Sequence, residues 1–165
     1  MPAPDTGHTR YGWILDLLPV RHPMVQVDRV VSLEPGVEIV TEKVVSGGEP
    51  CFAGVAADAP ARAWALPRTL IMESFGQSAA LLWLSGELKA PGGEEWLPIA
   101  ARMRRCDYHG DAFPGDVIRH TVRLETVKDG TTAFLSGSSR IGDRTVFTVG
   151  SMTAVRRPAR LLDRP

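Results

Sequence analysis

The sequence predicts an α+β fold in which an antiparallel sheet wraps one long central helix. Three observations lead there. Residues 68–88 are apolar on nearly every side, with Leu70, Ile71, Met72, Phe75, Leu81, Leu82, Trp83 and Leu84 set among the small residues Ser74, Gly76, Ser78, Ala79 and Ala80. A helix that is apolar all round has to be enclosed by other structure. Two β-like segments precede it and four follow it, and the later ones are joined by turn sequences such as Lys128-Asp-Gly-Thr131.

Size and composition agree with a single domain. The chain has 165 residues, 44% of them hydrophobic, enough for a real core. Nineteen basic residues balance nineteen acidic ones, which argues against a nucleic-acid footprint over the whole chain and mildly favours a protein that hides surface in an oligomer. The two cysteines, Cys51 and Cys106, match no zinc or redox spacing and read as small core residues. Residues 1–10 are polar, without an apolar signal core, and no uninterrupted stretch reaches membrane-span length. A cytoplasmic location is expected.

In chain order, residues 1–10 form a loose lead-in. Residues 11–18 make a short apolar helix stopped by Pro19. Met24 to Leu33 reads as a strand through Val25, Val27 and Val31, Glu34-Pro-Gly36 as a turn, and Val37 to Val45 as the partner strand. Ser46 to Leu66 has no usable periodicity, and a loop of that length in a compact domain is usually functional. Pro67 fits the first turn of the central helix, and Lys89-Ala-Pro-Gly-Gly93 ends it. The remaining strands are Trp96–Arg105, Val117–Val127, Thr132–Arg140 and Arg144–Val155, followed by a basic tail over 156–165. One long helix inside an antiparallel sheet is the hot-dog architecture. A single sheet around one helix leaves edges and an open face, so a dimer through strand edges is expected.

Glu73 stands out in this frame. It is the one charged residue between Thr69 and Leu84. A carboxylate in the second turn of a buried helix is costly unless it has a partner or a task. The bland reading is a carboxylate that leans out to solvent or pairs with a nearby arginine.

Several stretches resemble the 3-hydroxyacyl-[acyl-carrier-protein] dehydratases. Residues 17–31, Leu-Leu-Pro-Val-Arg-His-Pro-Met-Val-Gln-Val-Asp-Arg-Val-Val, are similar to that family's N-terminal motif, and Glu49-Pro-Cys-Phe-Ala-Gly54 to the approach to its active-site loop. Residues 67–77 are similar to the start of its central helix, and Arg102-Met-Arg-Arg105 and Phe113-Pro-Gly-Asp116 to its later strands and turn. The resemblance covers about residues 13–155. It implies a catalytic helix carboxylate at Glu73 with Gln77 after it. It also implies substrate contacts at Gly54, Val55, Trp64 and Arg68, the Arg68 backbone N–H facing the thioester carbonyl. No cofactor and no metal are implied. The partner would be an acyl carrier protein bearing a phosphopantetheine-linked acyl chain, in fatty-acid or polyketide biosynthesis.

One departure matters. The family's loop reads Gly-His-Phe-Pro, and its His is a catalytic acid/base. Here Val55 follows Gly54, and counting back from Glu73 gives Ala59. No His lies between His22 and His109. Dehydration needs a base at C2 and an acid at the C3 hydroxyl, and the resemblance assigns these jobs to the His and the helix carboxylate of different subunits. Among substitutes, His109 reads as a surface-loop residue, His22 as packing and Asp58 as a turn residue. Arg102, Arg104 and Arg105 are either a solvated strand face or a surface for an acidic carrier. The expectation is a dehydratase-like subunit, inactive alone, that lends Glu73 to a composite site with a His-bearing partner; the assembly is expected to be a hetero- or homodimer with a hot-dog subunit. The alternatives are a non-catalytic acyl-binding or scaffolding subunit, and a thioesterase in which Glu73 activates water.

Overall fold

The computed structural model describes residues 11–86 and 96–158. The expected lead-in over 1–10, the helix stop at 89–93 and the tail beyond residue 158 lie outside the described residues. Helix α1 spans Tyr11–Leu17, strand β1 Arg29–Glu34 and β2 Glu38–Val44. Helix α2 covers Arg68–Ser85. The strands β3 (Trp96–Tyr108), β4 (Val117–Lys128), β5 (Thr132–Ile141) and β6 (Arg144–Pro158) follow. All six strands join in one antiparallel sheet ordered β1-β2-β4-β5-β6-β3.

The helix fills the sheet as its all-round apolar pattern predicts. Ile71, Phe75, Leu81, Leu82 and Trp83 are essentially inaccessible to solvent, each burial favouring the fold by about 1.5–3 kcal/mol. Phe75 meets Phe147 edge-on at a ring separation of 6.0 Å and His120 at 6.2 Å. Opposite it, β5 carries Gly137, where a side chain would overlap the Thr121 carbonyl and come within 3.1 Å of the Phe75 ring. That glycine lets helix and sheet approach. The β4–β5 hairpin turns through Asp129 and Gly130, both with positive φ (53° and 64°), the geometry that Asp-Gly favours.

Several boundaries differ from expectation. Residues 24–28 are not a strand: the backbone at Met24 and Gln26 bonds to side chains of α2, and only Asp28 reaches β2, its N–H donating to the Glu42 carbonyl at 2.9 Å. Pro67 precedes the helix with an extended ψ of 127°, and Arg68 is its first residue. The helix ends at Ser85, three residues before the expected Leu88, since Gly86 is extended. Arg156 does not begin a tail. It lies in β6, 5% exposed, with its guanidinium 4.5 Å from the centre of the Trp83 ring and Nη2 donating to the Trp83 carbonyl at 2.8 Å. A cation there suits both the indole face and the negative end of the helix. Cys51 is exposed and is not the core thiol expected, while Cys106 is half-buried against the core; partial desolvation pushes both thiols up.

The long connection before α2 is pinned rather than loose. Two short 3-10 turns, Pro50–Phe52 and Ala61–Trp64, break it up. Its start is tied down by the buried Lys43, whose ammonium bonds Glu49 and lies 3.9 Å from Asp28. Its end is fixed by the Leu66 N–H donating to the Ala112 carbonyl at 2.8 Å.

Candidate active site

Glu73 sits one turn into α2, half-buried, beside two adjoining concavities. One, of about 280 Å³, runs between the end of α1, the helix positions Glu73, Gly76, Gln77 and Ala80, and strands β3 and β6. The other, of about 310 Å³, lies between Met72, Glu73 and Gly76 and residues 100–103 of β3. Glu73, Gly76, Gln77 and Ala80 recur at helical spacings of three and four, so they share one face. Gly76 and Ala80 leave room along it. Small residues at i+3 and i+7 after a lone carboxylate, with a glutamine at i+4, were the signal available in the sequence for these cleft-lining positions.

The orientation of Glu73 is set by Gln77. The Gln77 amide donates to Glu73 Oε1 at 2.8 Å and to the Met24 carbonyl at 2.6 Å, while its Oε1 accepts the Gln26 N–H at 2.7 Å. Ser74 Oγ donates to the Gln26 carbonyl at 2.6 Å. These bonds strap residues 24–26 onto α2 and hold the carboxylate from behind. Sequence reasoning found Glu73 and Gln77 but missed Ser74 and Gln26, whose roles depend on a contact across about fifty residues of chain.

The other expected site residues lie elsewhere. Gly54 is exposed, and Val55 is half-buried and packed on the core. Trp64 packs on Phe52 at 5.8 Å within the loop. The Arg68 side chain is turned onto the Tyr108 ring, 5.3 Å from its centre, with Nε donating to Asp111 at 3.1 Å. The Tyr108 hydroxyl in turn donates to the Arg68 carbonyl at 3.0 Å. None of these four residues lines the two clefts beside Glu73.

The described histidines are committed too. His22 stacks on Tyr11, and His109 is exposed and bonds Thr148 at 3.1 Å. His120 is wholly buried, with Nδ1 on Ser139 Oγ at 2.7 Å, and burial pushes its pKa down to about 3. None of the described histidines lines either cleft. Among the described residues no group of three or more potential ligands could hold a metal ion, and no helix is long and apolar enough to cross a membrane.

A long helix inside a six-stranded antiparallel sheet, with a carboxylate at a cleft between helix and edge strand, defines a hot-dog protein. The same fold occurs in the dehydratase heterocomplex ApeI:P from Xenorhabdus doucetiae, with a TM-score of 0.69 and 16% identity over 92% of this chain and 97% of that one. It also occurs in a hot-dog-like protein from Thermanaerovibrio acidaminovorans, with a TM-score of 0.56 and 20% identity over 79% of this chain and 88% of that one. No family model matches the chain. Full-length relatives are more specific. The 3-hydroxyacyl-[acyl-carrier-protein] dehydratase FabZ of Paracidovorax citrulli is 34% identical over 150 residues, spanning 88% of this chain and 96% of the relative. That of Chloroflexus aggregans is 38% identical over 117 residues, spanning 71% and 76%. The chain belongs to the FabZ family of 3-hydroxyacyl-[acyl-carrier-protein] dehydratases.

Proposed function

We propose that this chain is one half of a 3-hydroxyacyl-carrier-protein dehydratase, supplying the carboxylate Glu73 to a site whose histidine comes from a second hot-dog subunit. The observation that carries the reading is an asymmetry. Glu73 is held at an open cleft by Gln77, while neither residue that could stand at the family's loop histidine is ionisable: Val55 is packed on the core and Ala59 is an alanine. In the dehydration, a base takes the C2 proton of the 3-hydroxyacyl thioester and the electron pair forms the C2–C3 double bond. The C3–O bond breaks, and an acid delivers a proton to the departing hydroxyl, which leaves as water. One carboxylate fills one of these roles, and each role contributes about 10²–10⁴-fold.

The first turn of α2 fits the rest of the task. Its backbone N–H groups lie at the positive end of the helix, where the Arg68 N–H would polarise the thioester carbonyl. Gly76 and Ala80 keep an apolar path open beside Glu73 for the acyl chain. The substrate class is an acyl chain on the phosphopantetheine of a carrier protein, in fatty-acid or polyketide synthesis in the cytoplasm. The structural likeness to a dehydratase heterocomplex agrees with a two-chain enzyme.

The test has two arms. The purified chain alone is expected to dehydrate a 3-hydroxyacyl thioester little or not at all. Robust turnover that survives His109→Ala would overturn the reading. Co-expressed with a FabZ-type subunit bearing the loop histidine, the complex is expected to be active and to lose about two orders of magnitude on Glu73→Gln while staying assembled. Full activity of that variant would leave a scaffolding role in its place.

A further inference from the structure

We propose that the free edge of β3 is built to pair with an acidic strand of a different hot-dog subunit and to resist pairing with a second copy of this chain. Naming the partner a dehydratase subunit rests on the composite-site reading above; the charge argument stands on the strand itself.

β3 is thirteen residues long and, among the described residues, ends the sheet, bonded to β6 on one side only. A row of unpaired backbone groups of that length is a template for another strand. The opposite edge, β1, is only six residues long, and a short edge offers less to pair with; each edge strand has one register irregularity, between Val30 and Ser32 in β1 and between Ala100 and Arg102 in β3. Residues 98–103 of β3 also wall both clefts beside Glu73. A subunit that completes the site by docking at this edge therefore lies along that stretch.

The stretch carries unanswered positive charge. Arg102 and Arg104 are exposed, while Met103 between them points inward, its Cε 3.9 Å from where a side chain on Gly76 of α2 would begin. Their neighbours across β6 are Thr153 and Ser151, both neutral. Neither arginine makes a hydrogen bond or ion pair among the described residues. Arg105 is different: with φ at 50° it turns back over its own sheet, and Nη2 donates to the Gly150 carbonyl at 3.1 Å. The nearest acid on the strand, Asp107, lies beyond the residues that wall the clefts.

Two copies meeting antiparallel about a two-fold axis place outward residues opposite outward residues. An axis at residue 102 sets Arg102 against Arg102. At residue 103 it sets Arg102 against Arg104 twice, and at residue 104 it sets Arg104 against Arg104. Like charges directly opposite weaken strand pairing. Aspartate or glutamate at the facing positions reverses the sign, speeds encounter and selects the hetero-pair. The edge thereby directs the one-sided chain away from itself, since a homodimer would contain two carboxylates and no loop histidine.

The experiment needs no natural partner. Sedimentation equilibrium compares the unmodified chain, the double variant Arg102→Glu/Arg104→Glu, a 1:1 mixture of the two, and Arg102→Ser/Arg104→Ser. Both positions are exposed, and circular dichroism checks that the fold is kept. The mixture is expected to associate at least tenfold more tightly than either component alone, with the gain collapsing in about 1 M salt, where the Debye length falls to about 3 Å. The serine variant is expected to self-associate about tenfold more tightly than the unmodified chain. An unmodified chain that dimerises as tightly as the mixture, a mixture that does not associate, or a gain indifferent to salt would each overturn the proposal. The readout involves no catalysis, so a fully active Glu73→Gln complex would sink the composite site and leave this result standing.

Discussion

Glu42 and Glu73 are two carboxylates shielded from solvent in opposite ways. Glu42, in β2, is 6% exposed and lies in register between Arg29 of β1 and Arg119 of β4, with both guanidinium groups bonded to it. Burial pushes its pKa up, but the hydrogen bonds and charges of Arg119 and Arg29 outweigh that and hold the carboxyl below its ordinary range. Glu73 has one neutral partner, the Gln77 amide, and otherwise faces a cleft. A carboxylate answered by cations on both sides is spent on the fold. One oriented from behind by a single amide is left able to act.

The comparison can be broken most sharply at Glu73. Glu73→Gln is expected to lower the activity of the complex by about two orders of magnitude and to shift the melting temperature by no more than about 2 °C, the equivalent of less than about 1 kcal/mol for a chain this size. A large loss of stability with little loss of activity would make Glu73 structural like Glu42.

Acid tests the interior around both. His120 is held neutral when folded, with a pKa of about 3 against an ordinary 6.5. The unfolded chain therefore binds a proton at His120 more readily, and stability falls as the pH drops from 6.5 toward 3. The slope approaches about 1.4 kcal/mol per pH unit. Glu42 adds to this only lower down: its folded pKa is depressed, so its contribution is present above the ordinary carboxylate range and is lost as the pH falls through the folded value. Urea unfolding between pH 7 and pH 4 should show the slope, and His120→Leu should flatten it. An unchanged slope in that variant would place the titrating group elsewhere.

Glu42→Gln is the converse of the Glu73 change. It strips charge from two ion pairs and is expected to cost about 1–3 kcal/mol of stability with activity of the complex unchanged. Smallest of all, Arg29→Gln should cost less than about 1 kcal/mol, because the Arg29 side chain is half exposed and Arg119 still holds Glu42. Chemical denaturation with an activity assay on the same preparations reads both.

The sequence made the elements legible wherever a local signal agrees with the fold. The all-round apolar run of α2, the Asp129-Gly130 turn and the alternating strands after it are local patterns, and the structure reproduces them to within a few residues. The misses share a cause: they are positions where the backbone or a charge is satisfied from far away in the chain. Val25 and Val27 look like strand residues, yet the N–H of Gln26 between them donates to Gln77 and its carbonyl accepts from Ser74. Arg156 looks like the start of a basic tail and is buried, because the end of α2 answers it. At the candidate site, Glu73 was visible as the one charge in an apolar run. Its cleft was not, because half of it is built from β3 and β6, whose pairing with each other beside α2 no local pattern encodes.

The strapping of residues 24–26 onto α2 reaches further than packing. Two backbone groups decide which way the Gln77 amide points: the Gln26 N–H requires its oxygen and the Met24 carbonyl requires its nitrogen. The second amide hydrogen is then the one aimed at Glu73 Oε1. That hydrogen bond occupies Oε1 and leaves Oε2 turned to the cleft. The two oxygens of Glu73 are therefore unequal, and in the composite site proposed above the proton would be exchanged at Oε2.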